Sequence, residues 1–348
     1  MKNNRLIYLL IVILALWLAF ISREVFAKRN SGSQNIINQY NVSGFSTDIT
    51  KVVDDINASI VTISADSNIS SGFVYAQNND EVYIVTSYHG VSSSSSINVT
   101  FSSTYTQKGE IVGYDAYTDL AIIKVITPYE MLILKPGDVN LVKKGEFVIC
   151  IGTPVSADYA AAVELGMVSL KDLFIENTIY VNDVRSNYYL NMIELSADLS
   201  NGYSGSPIVN MNGEFIGMIT MNLSNSFDFA VTSNEIERVA DRIIKNEEVI
   251  RNNIGIKGSF VSQMYSYEKA NLNISMDTLS GIYASRVKEG SLAFEAGIRS
   301  GDIILSVNGR EIINLNDYLD ILHSDYADEI TFEYLHNYER IVSGVKRD

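Results

Sequence analysis

Histidine, aspartate and serine occur in three separate contexts of this chain, each suited to one part of a nucleophilic acyl transfer. His89 follows the β-branched run Ile84-Val85-Thr86, a pattern that predicts a strand ending in a turn that carries the imidazole. A strand end holds such a ring rigid yet open to solvent. Asp119 sits just before the apolar run Leu120-Ala121-Ile122-Ile123. A carboxylate there can fix one imidazole tautomer without being stranded in a core. Ser204 lies in Asn201-Gly202-Tyr203-Ser204-Gly205-Ser206-Pro207. Glycines around a serine permit a tight turn, which can aim the N–H groups of Gly202 and Ser204 at an oxyanion while Ser204 Oγ attacks a carbonyl. Taken singly, each context is ordinary: a structural histidine, a turn aspartate, a glycine-rich loop. Together, in the order His, Asp, Ser, they make His89 the expected general base, Asp119 its orienting carboxylate and Ser204 the nucleophile.

The elements that must hold these groups are mostly short strands. β-branched and aromatic runs at 60–63, 73–75, 82–86, 97–101 and 120–126 are separated by Asn, Asp, Gly and Ser. That pattern predicts an antiparallel barrel or sandwich. Before them, Ile49, Val52, Val53 and Ile56 have helical spacing, with Ser46 or Thr47 as the N-cap. After them, Ser233 looks like the cap of a helix with Ile236, Val239, Ala240, Ile243 and Ile244 on one face. From about Asn252 a second domain begins.

Composition narrows the function classes. The chain has 348 residues, enough for two ordinary domains, and 47% of them are hydrophobic. Its formal charge is −15 with no Lys/Arg-rich run, which argues against nucleic acid as a partner because phosphates need clustered cations. A single cysteine, Cys150, excludes an intramolecular disulfide or a multi-cysteine metal site. Within Phe147-Val148-Ile149-Cys150-Ile151 it reads as a small buried hydrophobe. No metal or cofactor is expected. Of the three histidines, His323 and His336 fall in the second domain and are poor bases for the first.

Leu6 to Ser22 is an uncharged apolar run flanked by Lys2, Arg5 and Arg23. As a helix it would span about 26 Å, enough for the short end of membrane crossing. Two readings stand: a retained signal anchor, preferred because Arg23 and Glu24 interrupt the approach to Val25-Phe26-Ala27, or a signal peptide cleaved there. Either places the rest of the chain outside the cytoplasm. The Asn-, Ser- and Gly-rich stretch that follows reads as a tether.

These motifs resemble the HtrA (Deg) family of chymotrypsin-like serine proteases with an attached PDZ domain. Ser71-Gly72-Phe73-Val74 with Ile84 to Val91, Gly113 to Val125, Gly145 to Pro154, Gly166-Met167-Val168-Ser169 and Phe229-Ala230-Val231-Thr232-Ser233 resemble successive family blocks. Ala296 to Gly309 resembles the PDZ block ending Asp-x-Ile-x-x-Val-Asn-Gly, and Gly290 to Ala293 fits the start of a short helix. The resemblance implies a mainly β fold: a double six-stranded barrel with the active site between the barrels, then a PDZ domain. The expected division is 1–27 cytoplasmic tip and transmembrane anchor, 28–46 flexible tether, 47–250 trypsin-like protease domain and 251–348 PDZ domain.

Departures from the family pattern are also visible. Its Gly-Asn-Ser-Gly-Gly-Pro is Gly202-Tyr203-Ser204-Gly205-Ser206-Pro207 here, and the approach Leu195 to Ser200 is altered. Asp198 lies six residues before Ser204, where trypsin-like enzymes place the carboxylate that attracts Lys or Arg. It is either a specificity residue or a surface cap. The PDZ peptide-binding loop corresponds to Asn253-Ile254-Gly255-Ile256, where backbone N–H groups would hold a peptide carboxylate. The expected activity is that of a single-pass, membrane-anchored serine endopeptidase of bacterial type. Its substrates would be exposed segments of misfolded or regulatory proteins, with C-terminal peptides bound at the PDZ domain. Family resemblance implies a homotrimer. The alternative is a scaffold built on a catalytically silent barrel, or a protease gated by PDZ ligands.

Overall fold

The fold is given by a computed structural model, which describes residues 42–101, 105–153, 160–181, 184–200, 202–220, 228–324 and 328–346. The apolar run 6–22 and the tether up to residue 41 lie outside the described residues. Among the described residues no helix is long and apolar enough to cross a membrane.

Strands β1 (Ile60–Ala65), β2 (Asn68–Asn78), β3 (Glu81–Ser87), β4 (Ile97–Phe101), β5 (Tyr105–Asp115) and β6 (Leu120–Ile126) close into a barrel in the order β1-β2-β3-β6-β5-β4. A second barrel closes as β10-β11-β12-β9-β8-β7. Its strands are β7 (Phe147–Gly152), β8 (Ala162–Val181), β9 (Val184–Ser196), β10 (Pro207–Val209), β11 (Phe215–Ile219) and β12 (Asp228–Thr232). Alternating sequence explains the walls: β5 is exposed and half-buried by turns, while β3 and β6, rich in Val and Ile, are buried nearly throughout. Closure leaves neither barrel an unpaired edge.

The two barrels meet over an aromatic contact. Phe73 of β2 and Phe215 of β11 are fully buried with ring centroids 5.0 Å apart. Tyr75 adds an edge contact to Phe215 and donates its hydroxyl to Asp241 Oδ1 at 2.7 Å.

Helix α1 (Val42–Ile56) begins before the expected cap, so Ser46 and Thr47 lie inside it. Once a turn is nucleated each further residue adds a hydrogen bond at little cost. Its last turn buries Val52 and Ile56. Helix α2 (Tyr88–Val91) is the single turn that follows β3, and helix α3 (Ser233–Ile244) follows β12. Ser233 is not the cap of α3. Thr232 occupies that place in extended conformation, and the Ser233 hydroxyl donates instead to Gly137 O at 2.8 Å.

The C-terminal sheet runs β13-β14-β15-β17-β18, with β16 on β15. These strands are β13 (Ile256–Phe260), β14 (Ile282–Val287), β15 (Ile303–Val307), β16 (Arg310–Glu311), β17 (Glu329–His336) and β18 (Glu339–Lys346). Helix α4 (Ser266–Asn271) follows β13. Helix α5 (Leu292–Glu295) is capped by Ser291, whose hydroxyl accepts from the Phe294 N–H. Helix α6 (Leu315–Leu322) has a reciprocal cap between Asn314 and Asp317. Its Leu315, Tyr318, Leu319 and Leu322 enter the sheet's core.

Val52–Asp348 forms one body, and α6 joins its parts. Asn316 Nδ2 donates to Asn140 Oδ1 at 2.7 Å and Asn316 Oδ1 accepts from Asn191 at 3.1 Å. Arg238 of α3 bonds Asp320 at 2.7 Å. The aromatic contact gives a first test: Phe215→Ala should cost about 3–5 kcal/mol, read as a lowered midpoint in denaturant unfolding.

Candidate active site

Strand register brings His89 and Asp119 together. In the antiparallel β3–β6 pair Ser87 lies opposite Leu120, so the turn leaving β3 and the turn entering β6 share one end of the barrel. The Tyr88 N–H donates to Asp119 O at 2.8 Å, and the His89 N–H donates to Asp119 Oδ1 at 2.8 Å. The second carboxylate oxygen, Oδ2, is 2.6 Å from His89 Nδ1. Asp119 is 5% exposed and sits at φ +56°, a left-handed conformation that a short polar side chain tolerates. The bond from Asp119 and its charge raise the His89 pKa above 6.5, against the lowering effect of partial burial. The ring's other nitrogen, Nε2, is left to face solvent or a substrate.

Ser71, which the sequence marked only as part of a family block, positions the serine loop. Its N–H donates to Ser204 O at 2.9 Å and its hydroxyl to Gly202 O at 2.7 Å. The same hydroxyl accepts from the Thr153 N–H at 2.7 Å, and Ser71 O accepts from Thr86 Oγ1 at 2.7 Å. Gly205 lies against the end of β3. A Cβ there would meet Ser71 O at 2.2 Å and Ser87 N at 2.9 Å, and its φ of +85° also favours glycine.

Ser204 is therefore held beside the strand that delivers His89, although among the described residues no hydrogen bond joins Ser204 Oγ to His89. Such bonds are often long before a substrate arrives. Gly202 takes φ +106°. Around it, Gly205 N–H is spent on Ile219 O and Ser206 N–H on Tyr203 O. The N–H groups of Gly202 and Ser204 have no acceptor among the described residues, which is what an oxyanion site requires.

The specificity expectation looks different in space. Asp198 is exposed. The buried carboxylate of this region is Asp228, missed in the sequence, which accepts from the Leu199 N–H at 3.3 Å. Burial raises its pKa, and the charge of Asp198 adds to the rise. Cys150 is fully buried and its thiol is pushed up to about 12, chiefly by burial. Among the described residues no group of three or more His, Cys, Asp or Glu is placed to hold a metal.

At the C-terminal loop, Gly255 sits at φ +82° and a Cβ there would meet Ser291 Cβ at 2.1 Å. Its N–H donates to Asn253 Oδ1 at 2.8 Å, while Ile254 and Ile256 are buried in the core. His323 and His336 are far from His89 in role: His323 Nε2 bonds Glu235 at 3.0 Å and His336 bonds Asp302 at 2.7 Å.

Comparison with known proteins finds relatives for both parts of the molecule. Residues 70–218 match the trypsin-like peptidase domain family and residues 283–334 match the PDZ domain family. The serine protease Do-like HtrB of Bacillus subtilis is 30% identical over 273 residues, covering 76% of this chain and 59% of that protein. The Do-like HtrA of the same organism is 27% identical over 332 residues, covering 87% and 73%. The chain is similar to HtrA-type serine proteases across both of these domains.

It spans about 59% of the length of the first of these HtrA relatives. Its fold is also that of solved protease structures. The HtrA-type protease AlgW with a tripeptide superposes with a TM-score of 0.62 at 20% identity, covering 85% of this chain and 95% of that one. A serine endoprotease from Yersinia pestis does so with 0.53 at 23%, covering 85% and 96%. The two departures from the HtrA serine motif have structural places. Tyr203 is buried in the second barrel's core. Ser206 Oγ fills space left by Gly152, where a Cβ would come within 2.0 Å of it.

NMR titration of the imidazole checks the electrostatics. His89 should titrate above 6.5, and Asp119→Ala should lower that pKa by removing its main cause.

Proposed function

We propose that this chain is a serine endopeptidase acting through His89, Asp119 and Ser204. The observation that carries the reading is the two-oxygen grip of Asp119 on His89, which leaves Nε2 open beside a serine loop with two N–H groups uncommitted among the described residues. His89 takes the Ser204 proton as Oγ attacks the peptide carbonyl. The tetrahedral oxyanion is received by the N–H groups of Gly202 and Ser204. His89 then protonates the leaving amine, Asp119 stabilises the imidazolium, and water hydrolyses the acyl-enzyme on Ser204.

Substrates are exposed segments of misfolded or regulatory proteins. The chain works outside the cytoplasm, anchored to the cell membrane by the apolar run 6–22, as its sequence pattern suggests. Assembly as a homotrimer follows family resemblance. The PDZ domain takes C-terminal peptides at Asn253–Ile256, where the incoming carboxylate displaces Asn253 Oδ1 from the Gly255 N–H.

A second reading, a protease gated by such ligands, is suggested by helix α6, which joins the C-terminal domain to β9 and α3 through Asn316 and Asp320. A fluorophosphonate probe distinguishes the readings. The full chain should label, and Ser204→Ala and His89→Ala should abolish labelling, a loss of about 10⁴-fold or more in rate. Labelling that appears only with added C-terminal peptides establishes gating, and a folded chain that never labels is a scaffold. Peptides varied only before the scissile bond test specificity: because Asp198 is exposed, Asp198→Ala should leave the preference unchanged.

A further inference from the structure

The segment between α3 and β13 carries Arg251 and Asn252, and the two adjacent residues hold different parts of the molecule. Arg251 reaches the first barrel. Its guanidinium pairs with Asp115 Oδ2 and lies 4.8 Å from the centre of the Tyr117 ring. Asp115 is buried, with its side chain 6% exposed, and Arg251 is partly buried, with its side chain 11% exposed. The same Asp115 oxygen accepts from the Thr118 N–H at 2.9 Å and from the Thr118 hydroxyl at 2.6 Å. One carboxylate oxygen thus organises the whole turn 115–119, and Arg251 sits on it. The turn delivers Asp119 at φ +56° directly to His89. Asn252 faces the other way. Its N–H donates to Leu322 O at 2.8 Å and its side chain to Ser324 O at 2.7 Å, at the end of α6.

Behind Arg251 lies a buried charge that favours it. Glu235 of α3 is wholly buried, bonded to His323 at 3.0 Å and to Arg238 at 2.9 Å. Burial pushes its pKa up, but the charges of His323, Arg238 and Arg251 outweigh this and hold it at about 2.

We propose that Arg251 is a positioning residue for the catalytic group: by gripping Asp115 it fixes the turn that presents Asp119 to His89, and so ties the catalytic geometry to the seating of helix α6. This rests on the reading of Ser204 as the nucleophile. Arg251 acts through Asp115 and does not itself touch substrate. A carboxylate displaced by a fraction of an ångström still folds, but it orients the imidazole poorly, and catalysis is sensitive to such errors.

The test uses the full chain and the fluorophosphonate probe, with Arg251→Met, Asp115→Asn, the double variant and Arg251→Lys. Saturation kinetics separate the limiting labelling rate from the half-saturating probe concentration. Arg251→Met should lower the limiting rate about tenfold to a hundredfold and leave the half-saturating concentration within about twofold. The acid limb of its pH profile should move to lower pH, because an imidazole that loses its carboxylate is less basic. The losses of Arg251→Met and Asp115→Asn should not add in the double variant, since the pair acts as one unit. Arg251→Lys, which keeps the charge but not the planar fork, should fall between wild type and Arg251→Met.

A folded Arg251→Met that labels at the wild-type rate with an unchanged profile overturns the inference, as do strictly additive losses. Should Arg251→Met fail to fold, an unchanged rate and profile in Arg251→Lys is equally fatal. A folded wild type that never labels sinks the nucleophile reading instead. Titration of His89 by NMR then still decides the role of Arg251, because a pKa identical in wild type and variant removes it.

Discussion

His89 and the Ser204 loop lie on opposite sides of a seam between two closed barrels, and Ser71 is where that seam is pinned. Its carbonyl binds β3 through Thr86, its N–H and hydroxyl bind the serine loop, and Thr153 of the second barrel donates to the same hydroxyl. The aromatic pair Phe73–Phe215 supplies apolar burial along the same seam. Directional bonds and burial act together here. Burial draws the barrels together without specifying an angle, whereas a hydroxyl with one donor and a few acceptor sites accepts only one arrangement. Gly205 follows from this, because the close approach leaves no room for a side chain.

The contact between the barrels and the C-terminal domain is of a different kind. It is largely polar: Asn140, Asn191 and Asn316 in a chain, Arg238 with Asp320, and Glu235 with His323. Such an interface adds little net stability, since desolvation offsets much of the attraction, but breaking one partner of a buried pair costs about 3–5 kcal/mol. It therefore favours one docked arrangement strongly over slightly shifted ones. Helix α6 borders this interface with one face and the PDZ core with the other, so a movement of the helix is felt on both sides.

Much of the fold was legible because its signals are local. Strand alternation, the His89 and Asp119 turns and the glycine-flanked Ser204 all announce themselves within a few residues. So does the Ala296–Gly309 block. What escaped is non-local. The partner of Asp115 is 136 residues away and that of the Ser71 hydroxyl 131 away, so neither pairing leaves a local signature. Asp198 and Asp228 show the same limit from another side: both are acidic near the serine loop, and only burial tells them apart. Ser233 had the residue type of a cap, yet a carbonyl from residue 137 competes for its hydroxyl and wins.

The buried state of Cys150 has a consequence for where such a chain can operate. It is the one sulfhydryl in the sequence, with no solvent access and little thiolate at neutral pH. No cross-link within the chain depends on an oxidising environment, and no exposed thiol invites peroxide or a mixed disulfide. Thiol–disulfide exchange therefore has no handle on this chain, whose stability rests on packing and hydrogen bonds rather than on a cross-link.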